Sequence, residues 1–331
     1  MTGPVAVTGA AGFVCANVVL HLAQRSHHVI ACDVAPPPDA LRRLWAEQSG
    51  SIRWVALDVA AEGGWAALDA EPVERIVHGA AITPGGPDPT PERTARVNFW
   101  GTVAGLEYAR RRACRRFVFI SSSGVYGAAR SHRPLRETRA LRPENAYALA
   151  KRSAEQFVSL YRHRYGLDAC SVRLAAPYGP WERPTGVRTR MSPIFRLATA
   201  ALRGEKIRVS GMQIARDWTY VDDVAAGLTH LMNAPALPFD LFNLSSGKPA
   251  SLGTIVRTLR RLIPGAAIEA ADADHADVGM GPADYRAPLD ITRLRAAGFV
   301  PRTNLATGLA RYLEWLNGIG SFVWDGESDG I

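Results

Sequence analysis

The alternation of short apolar segments with helical segments limits the fold of this chain more than any other feature of its sequence. Six apolar segments, at residues 5–8, 28–33, 54–58, 75–81, 116–120 and 170–174, are typical of buried strands, and helical patterns separate most of them. Strands that alternate with helices build a parallel sheet with helices on both faces. We therefore predict an α/β fold with a doubly wound parallel sheet of the Rossmann type.

The turn after the first strand carries a glycine pattern, Gly9-x-x-Gly12-x-x-Cys15. Gly9 permits a tight turn, and Gly12 lets backbone N–H groups approach a pyrophosphate at the N-terminus of the next helix. Cys15 stands where a third glycine is usual, which weakens the pattern. The second strand ends in Asp33, whose carboxylate would accept hydrogen bonds from an adenosine ribose and repel a 2′-phosphate. These residues favour NAD over NADP as the cofactor.

Two further strands end in residues that suit the same cofactor. Asp58 ends the third strand, and the fourth ends in the small residues Ala80 and Ala81, across which a dinucleotide can lie. The loop at 82–91 follows this strand, at the sheet edge where open α/β folds bind ligands. His78, within the strand, is interpreted as a packed residue rather than as a base.

A tyrosine and a lysine four residues apart, Tyr147 and Lys151, lie in a segment with a helical pattern, so they share a helix face. A nearby cation lowers the pKa of a tyrosine from its ordinary value of about 10. Such a pair can take a proton from an alcohol while the carbon loses hydride. The alternative is a packed tyrosine and a solvated lysine. With nine tyrosines and three lysines in 331 residues, chance predicts only about 0.08 such pairs.

Three serines, Ser121, Ser122 and Ser123, follow the fifth strand. A serine run after a buried strand is consistent with a simple turn. Its position before the helix of Tyr147 favours instead a hydroxyl that donates a hydrogen bond to the substrate.

The net charge of +8 raises the question of a nucleic-acid partner, but 36 of the 39 basic residues are arginines scattered along the chain or on amphipathic helices. We therefore expect no nucleic-acid partner. The four cysteines form no Cys-x-x-Cys pair and lie in apolar segments, which favours buried thiols in a reducing compartment and no metal site. Without a signal-peptide pattern or an apolar run of about 20 residues, the expected location is the cytoplasm, not a membrane.

The second half of the chain predicts a smaller α/β lobe interleaved with the first. Helices are predicted at 193–203, 224–232, 254–262 and 305–316, strands at 207–211 and 239–244, and a polar tail from residue 317. Asp222 or Asp223 is expected to cap the helix at 224–232. The predicted cofactor domain is 1–175 with 212–245 returning to it, and the predicted substrate lobe is 176–211 with 246–331.

The motifs of this chain, and their order along it, resemble those of extended short-chain dehydrogenases/reductases, the NAD-dependent epimerase/dehydratase group that acts on nucleotide sugars. The resemblance covers roughly residues 4–316. It rests on Thr8-Gly9-x-x-Gly12, Asp33, Asp58, Asn98-x-x-Gly101-Thr102, Ser121-Ser122-Ser123-Gly-Val-Tyr126-Gly127, Tyr147-x-x-x-Lys151 and Arg216-Asp-x-x-Tyr220-Val-Asp-Asp223.

The resemblance implies that Tyr147 is the acid/base and that Lys151 binds the nicotinamide ribose. It implies that Ser122 bonds the reacting oxygen, with Ser121 and Ser123 as competitors. The cofactor contacts it implies are Gly9, Gly12, Phe13, Val14, Asp33, Asp58, Val59, Ala80, Ala81, Asn98, Tyr147 and Lys151, and the substrate contacts are Thr83, Ser122, Ser123, Ala176 and Arg216. It also implies a homodimer that pairs the helices at 93–112 and 145–165.

Departures from the family pattern bear on the substrate. Ser123 and Gly124 replace the Asp-Glu pair of the dehydratases, which argues against dehydration. Ala176 replaces an asparagine that contacts the substrate diphosphate in the 4-epimerases, and an expected arginine near residue 280 is missing, whereas Arg216 is kept.

Three functions stay open at this point. The first is epimerisation of a nucleotide sugar, the second is net oxidation of a small sugar, sugar acid or polyol, and the third is a dinucleotide sensor without catalysis. Arg183, Arg188 and Arg190 either clamp a carboxylate or phosphate or are solvated.

Overall fold

Seven parallel strands form a central sheet in the computed structural model, which describes residues 3–84, 90–128, 133–185 and 188–318. The strands, numbered along the chain, are β1 Val5–Thr8, β2 Val29–Asp33, β3 Ile52–Ala56, β4 Arg75–His78, β5 Arg116–Ser122, β6 Ala169–Leu174, β7 Ala176–Tyr178, β8 Ile207–Ser210, β9 Ala215–Arg216, β10 Trp218–Tyr220, β11 Leu241–Leu244, β12 Ala250–Ser251, β13 Ile268–Ala270 and β14 Val278–Gly279. The helices are α1 Phe13–Ala23, α2 Asp39–Ala46, α3 Pro91–Ala95, α4 Gly101–Arg111, α5 Ala146–Tyr165, α6 Pro193–Arg203, α7 Val221–Asn233, α8 Leu252–Leu262, α9 Thr292–Ala296 and α10 Leu305–Asn317.

The strand order in the central sheet is β11-β6-β5-β4-β1-β2-β3. β1 lies between β2 and β4, with Val5 opposite Val29 on one side and Arg75 on the other, and every pairing in this sheet is parallel. The chain order therefore reverses at β1, and the crevice at the carboxyl ends of β1 and β4 is the switch point at which doubly wound sheets bind ligands. The predicted doubly wound sheet is confirmed.

Helices cover both faces of this sheet. One apolar core joins the strands to α1 and α7, and a second joins them to the helix pair formed by α4 and α5. The long helix predicted at 93–112 consists of α3, a π-helical turn at Arg96–Trp100 and α4. The middle of the proline-rich loop, residues 85–89, and the polar tail after residue 318 lie outside the described residues.

The smaller lobe has its own apolar core, built from α6, α8, α10 and a three-stranded sheet of β13, β8 and β14. Its packing differs from the predicted boundaries at two points. Trp218 and Tyr220 pack in this second core, so the chain returns to the first core in α7 rather than at residue 212. Ile291 and Leu294 pack in the first core, because α9 contacts β11.

The expected cap of the helix at 224–232 is wrong. The helix begins earlier, at Val221, and no side chain caps it. The carboxylate of Asp223 instead accepts hydrogen bonds from the backbone N–H groups of Arg302 (3.2 Å) and Thr303 (2.8 Å). A contact 80 residues away along the chain therefore takes the place of the expected local one.

Over the described ranges, no helix is long and apolar enough to cross a membrane, and no group of three or more His, Cys, Asp or Glu side chains has the arrangement of a metal site. The four cysteines are free thiols and all are buried.

Candidate active site

The predicted tyrosine–lysine pair lies on α5, which begins after Asn145, whose Oδ1 accepts the N–H of Ala148 at 2.9 Å. Lys151 is only 2% exposed, and its Nζ lies 5.9 Å from the centre of the Tyr147 ring. The ammonium group donates a hydrogen bond to the carbonyl oxygen of Ile120 at 2.8 Å. One of its three protons is therefore fixed at the end of β5, and two are left for a ligand.

The electrostatics of the pair differ from the expectation. Burial lowers the pKa of Lys151 to about 8, with Cys15 and Glu155 opposing the shift. Desolvation raises the pKa of Tyr147, while a hydrogen bond from Ser122 and the charge of Arg188 lower it. Lys151 is directed at a carbonyl oxygen and not at the phenol, so the predicted lowering of the tyrosine pKa by the lysine is not seen in this structure.

The three serines after β5 have separate roles. The hydroxyl of Ser121 donates to Glu155 at 2.5 Å. Ser122 lines the cleft beside Tyr147, and its Oγ accepts the N–H of Gly124 at 3.1 Å. Ser123, as far as the described chain shows, does not line the cleft. Ser121 also lines the cleft, but its hydroxyl proton is donated to Glu155, so Ser122 is the serine placed to donate to a substrate oxygen next to the tyrosine.

The cleft has a volume of about 610 Å³ and opens at the carboxyl ends of the parallel strands. Thr83 and these residues predicted for the cofactor line it together with Ser122: Gly9, Gly12, Phe13, Val14, Asp33, Asp58, Val59, Ala80, Ala81, Tyr147 and Lys151. The sequence pattern thus identified positions that are distant along the chain and adjacent in the fold.

The glycine loop has the geometry that a dinucleotide needs. Gly9 has φ +73°, and a Cβ atom there would lie 2.8 Å from the backbone nitrogen of Ala80. Asp33 accepts the N–H of Ala11 at 3.0 Å with one carboxylate oxygen and that of Val34 at 2.8 Å with the other. Burial raises the pKa of Asp33, and these backbone hydrogen bonds oppose the shift. The loop and the acid are therefore held together where a pyrophosphate and an adenosine ribose fit.

Asn98 differs from its predicted role as a cofactor contact. Its side chain is fully buried and lies outside the cleft lining. Its Oδ1 accepts the N–H of Ile82, and its Nδ2 donates to the carbonyl of Ile82, both at 2.8 Å. The amide thus fixes the loop after β4, which carries Thr83 into the cleft.

Two arginines after β7 lie in the cleft rather than in solvent. Nη1 of Arg183 donates to the carbonyl of Ala11 at 3.0 Å. Arg188 pairs with the fully buried Glu182 at 2.5 Å, and its guanidinium lies 5.4 Å from the centre of the Phe13 ring. This loop therefore covers the glycine turn. Arg93 and Arg96 also line the cleft, and no pattern at the start of that helix had indicated it.

The remaining predicted substrate contacts, Ala176 and Arg216, do not line this cleft in the part of the chain that is described. Arg216 donates to Asp284 from Nη2, at 2.8 Å to Oδ1, and from Nε, at 2.8 Å to the carbonyl. Desolvation lowers the pKa of Arg216, Asp284 opposes this, and the charges of Arg286 and Arg190 lower it further. Arg216 is therefore paired with Asp284 and lies near two further arginines.

Residues 5–244 match the NAD-dependent epimerase/dehydratase family. This chain belongs to that family. A UDP-glucose 4-epimerase of Mycolicibacterium smegmatis is 32% identical, over 93% of this chain and 97% of that protein. A probable UDP-glucuronate 4-epimerase of Rhizobium meliloti is 28% identical, over 93% and 95%.

Solved structures agree with this assignment. The protein MoeE5 has been solved with NAD and either UDP-glucose or UDP-glucuronic acid, with TM-scores of 0.75 and 0.77. It is 27% identical, and the match covers 95% of this chain and 99% of MoeE5. The chain is therefore an NAD-dependent enzyme, as the glycine loop and Asp33 predicted, and the reading as a non-catalytic sensor loses its support.

Proposed function

We propose that this enzyme inverts a carbinol centre of a UDP-sugar through a transient ketone. The observation that carries the proposal is the placement of Ser122, Tyr147 and Lys151 in the same cleft as the glycine loop and Asp33. Two relatives that match over nearly their whole length are a UDP-glucose 4-epimerase and a probable UDP-glucuronate 4-epimerase. The site thus has the groups for an alcohol oxidation that is reversed within one turnover.

Tyr147, Ser122 and Lys151 have different roles in the proposed reaction. The phenol oxygen of Tyr147 takes the hydroxyl proton and later returns it, acting as base and then as acid. Ser122 donates a hydrogen bond to the reacting oxygen, and Lys151 offers its two remaining protons to the nicotinamide ribose. NAD, when bound, supplies the acceptor and donor of hydride. Hydride that returns to the opposite face of the ketone gives the epimer.

The arginine cluster of Arg190, Arg216 and Arg286 supports a substrate that carries a diphosphate. Forked guanidinium groups bind phosphate oxygens in pairs, and Arg216, which pairs with Asp284, lies near two further positive charges. These contacts favour a nucleotide sugar over a small sugar acid or polyol.

The test is the binding of UDP in the presence of NAD, followed by incubation with UDP-glucose and UDP-glucuronic acid. We expect UDP to bind and one of the two to be converted into its C4 epimer without net formation of NADH. Absence of UDP binding, together with NADH released on addition of a small sugar acid or polyol, would make the enzyme a net dehydrogenase and overturn the proposal.

We also propose that the enzyme is a cytoplasmic homodimer. The helical unit from α3 to α4 packs against α5 and leaves large apolar side chains in solvent, with Trp100 59% and Leu149 51% exposed. Pairing with a second copy would cover them, since exposed apolar side chains that cluster indicate an interface. Light scattering of W100E/L149E should give the mass of one chain and that of the wild type the mass of two. A monomeric wild type at micromolar concentration would refute this.

A further inference from the structure

The helix that carries the catalytic pair holds the end of β5 through side chains spaced one turn apart. Lys151 donates to the carbonyl of Ile120 at 2.8 Å, and Glu155 accepts the hydroxyl of Ser121 at 2.5 Å. Tyr147, one turn earlier, meets the next residue of the strand end. Side chains four residues apart on one helix face thus contact three consecutive residues of one strand.

Glu155 is held by more than this serine. Arg173, on β6, donates from Nε to one oxygen of the carboxylate at 2.8 Å and from Nη2 to the other at 2.6 Å. The two side chains are 7% and 2% exposed, and the guanidinium lies 4.7 Å from the centre of the Tyr126 ring. A forked pair of this kind fixes both the position and the direction of the carboxylate.

Glu155 also supplies a negative charge that raises the pKa of Lys151. The titratable groups that interact with Lys151 are Tyr147 and Glu155 on its own helix, Cys15 on α1 and His78 on β4. Burial raises the pKa of Cys15 to about 12 and lowers that of His78 to about 3, so both are neutral at pH 7. Within the described residues, this leaves the carboxylate as the negative partner of the buried ammonium.

We propose that the Glu155–Arg173 ion pair is a positioning device for the reaction, which keeps Lys151 charged and holds Ser122 at the distance that the phenol needs. Glu155 does not line the cleft in the described part of the chain, so it acts through the groups that do. The kinetic part of this proposal rests on the proposed epimerase function, whereas the effect on the lysine does not.

The charge effect can be measured directly because the chain has only three lysines, and both Lys206 and Lys248 are exposed. With lysine labelled with ¹³C at Cε, the resonance of Lys151 should titrate near pH 8 in the wild type. E155Q removes the negative charge and leaves Arg173 in place, so the midpoint should fall by about one pH unit.

The matched control breaks an ion pair between a buried arginine and a half-buried aspartate at the other end of the same strand. Arg116, 4% exposed, donates to Asp168 at 2.9 and 2.5 Å. D168N should lower the thermal midpoint as E155Q does and leave the titration of Lys151 within about 0.3 pH units of the wild type. An unchanged Lys151 midpoint in E155Q would show that the pair is only structural and would overturn the proposal.

A second variant tests the positioning without a change of charge, and it also serves if E155Q does not fold. S121A removes one hydrogen bond to Glu155 and should lower kcat about tenfold, with KM and the Lys151 midpoint unchanged, because a displacement of the strand end misaligns Ser122. A wild-type kcat in S121A would overturn the positioning role. If the wild type does not convert UDP-sugars, the proposed function fails, while the Lys151 titration still decides the charge effect.

Discussion

Replacing Ser122 with alanine tests which of three consecutive serines meets the reacting oxygen. The hydroxyl lowers the pKa of Tyr147 by a hydrogen bond, and in the proposed reaction it also donates to the substrate oxygen. A hydrogen bond to a charged group contributes about 1.5–3 kcal/mol. Since 1.36 kcal/mol corresponds to a factor of ten in rate, S122A should lower kcat by roughly 10- to 150-fold.

The pH dependence should change in a defined direction. Tyr147 acts first as a base, so activity falls as pH drops through the pKa of the phenol. Loss of the hydrogen bond from Ser122 raises this pKa further, and the acid limb of kcat/KM should therefore move to higher pH. Stability should change little, because the lost partner of the hydroxyl, the N–H of Gly124, is on a half-buried turn.

The matched control is S123A, since Ser123 is the neighbouring residue and does not line the cleft among the described positions. Initial rates of UDP-sugar conversion from about pH 6 to about pH 11, a range that includes the ordinary tyrosine pKa of about 10, would be compared for both variants, with thermal midpoints as a check on folding. S123A should remain within about twofold of the wild type. Equal losses in both variants, or an acid limb of S122A that does not move, would refute the assigned role of Ser122.

Two further predictions concern the cofactor site and its support. G9A should lower NAD affinity by at least roughly tenfold, because its Cβ would lie 2.8 Å from the backbone nitrogen of Ala80. The control is G63A, since Gly63 has a similar φ of +68° and a Cβ atom there would have no neighbour within 4 Å. G63A should lose only the stability that the backbone strain costs and should bind NAD normally. N98A should destabilise the fold by about 2–4 kcal/mol, since both backbone groups of Ile82 lose their partner, as calorimetry would show; an unchanged thermal midpoint would contradict this.

The parts of the site that the sequence predicts are those set by local spacing. The glycine turn after β1, the acid at the end of β2 and the helix face of Tyr147 and Lys151 each depend on a few consecutive residues. The parallel sheet then brings their strand ends together without further information. Local patterns therefore predicted the fold class and the cofactor and, together with the family resemblance, thirteen of the residues that line the cleft.

The parts that the sequence did not predict depend on contacts between distant segments. Arg183 reaches the carbonyl of Ala11 across 172 residues, and Asp223 bonds Arg302 and Thr303 instead of capping its own helix. The direction of the Lys151 ammonium is likewise set by a carbonyl on another strand. The burial of Tyr147, which raises its pKa, also comes from the tertiary packing, and the neighbouring residues in the sequence do not indicate it.

The most direct test of the central claim uses a UDP-sugar that carries deuterium at C4 as the substrate. We expect the C4 epimer to form with the deuterium retained, since hydride leaves and returns at one carbon, and we expect Y147F to show no conversion. Loss of the label to solvent, net accumulation of reduced cofactor, or undiminished turnover in Y147F would contradict it.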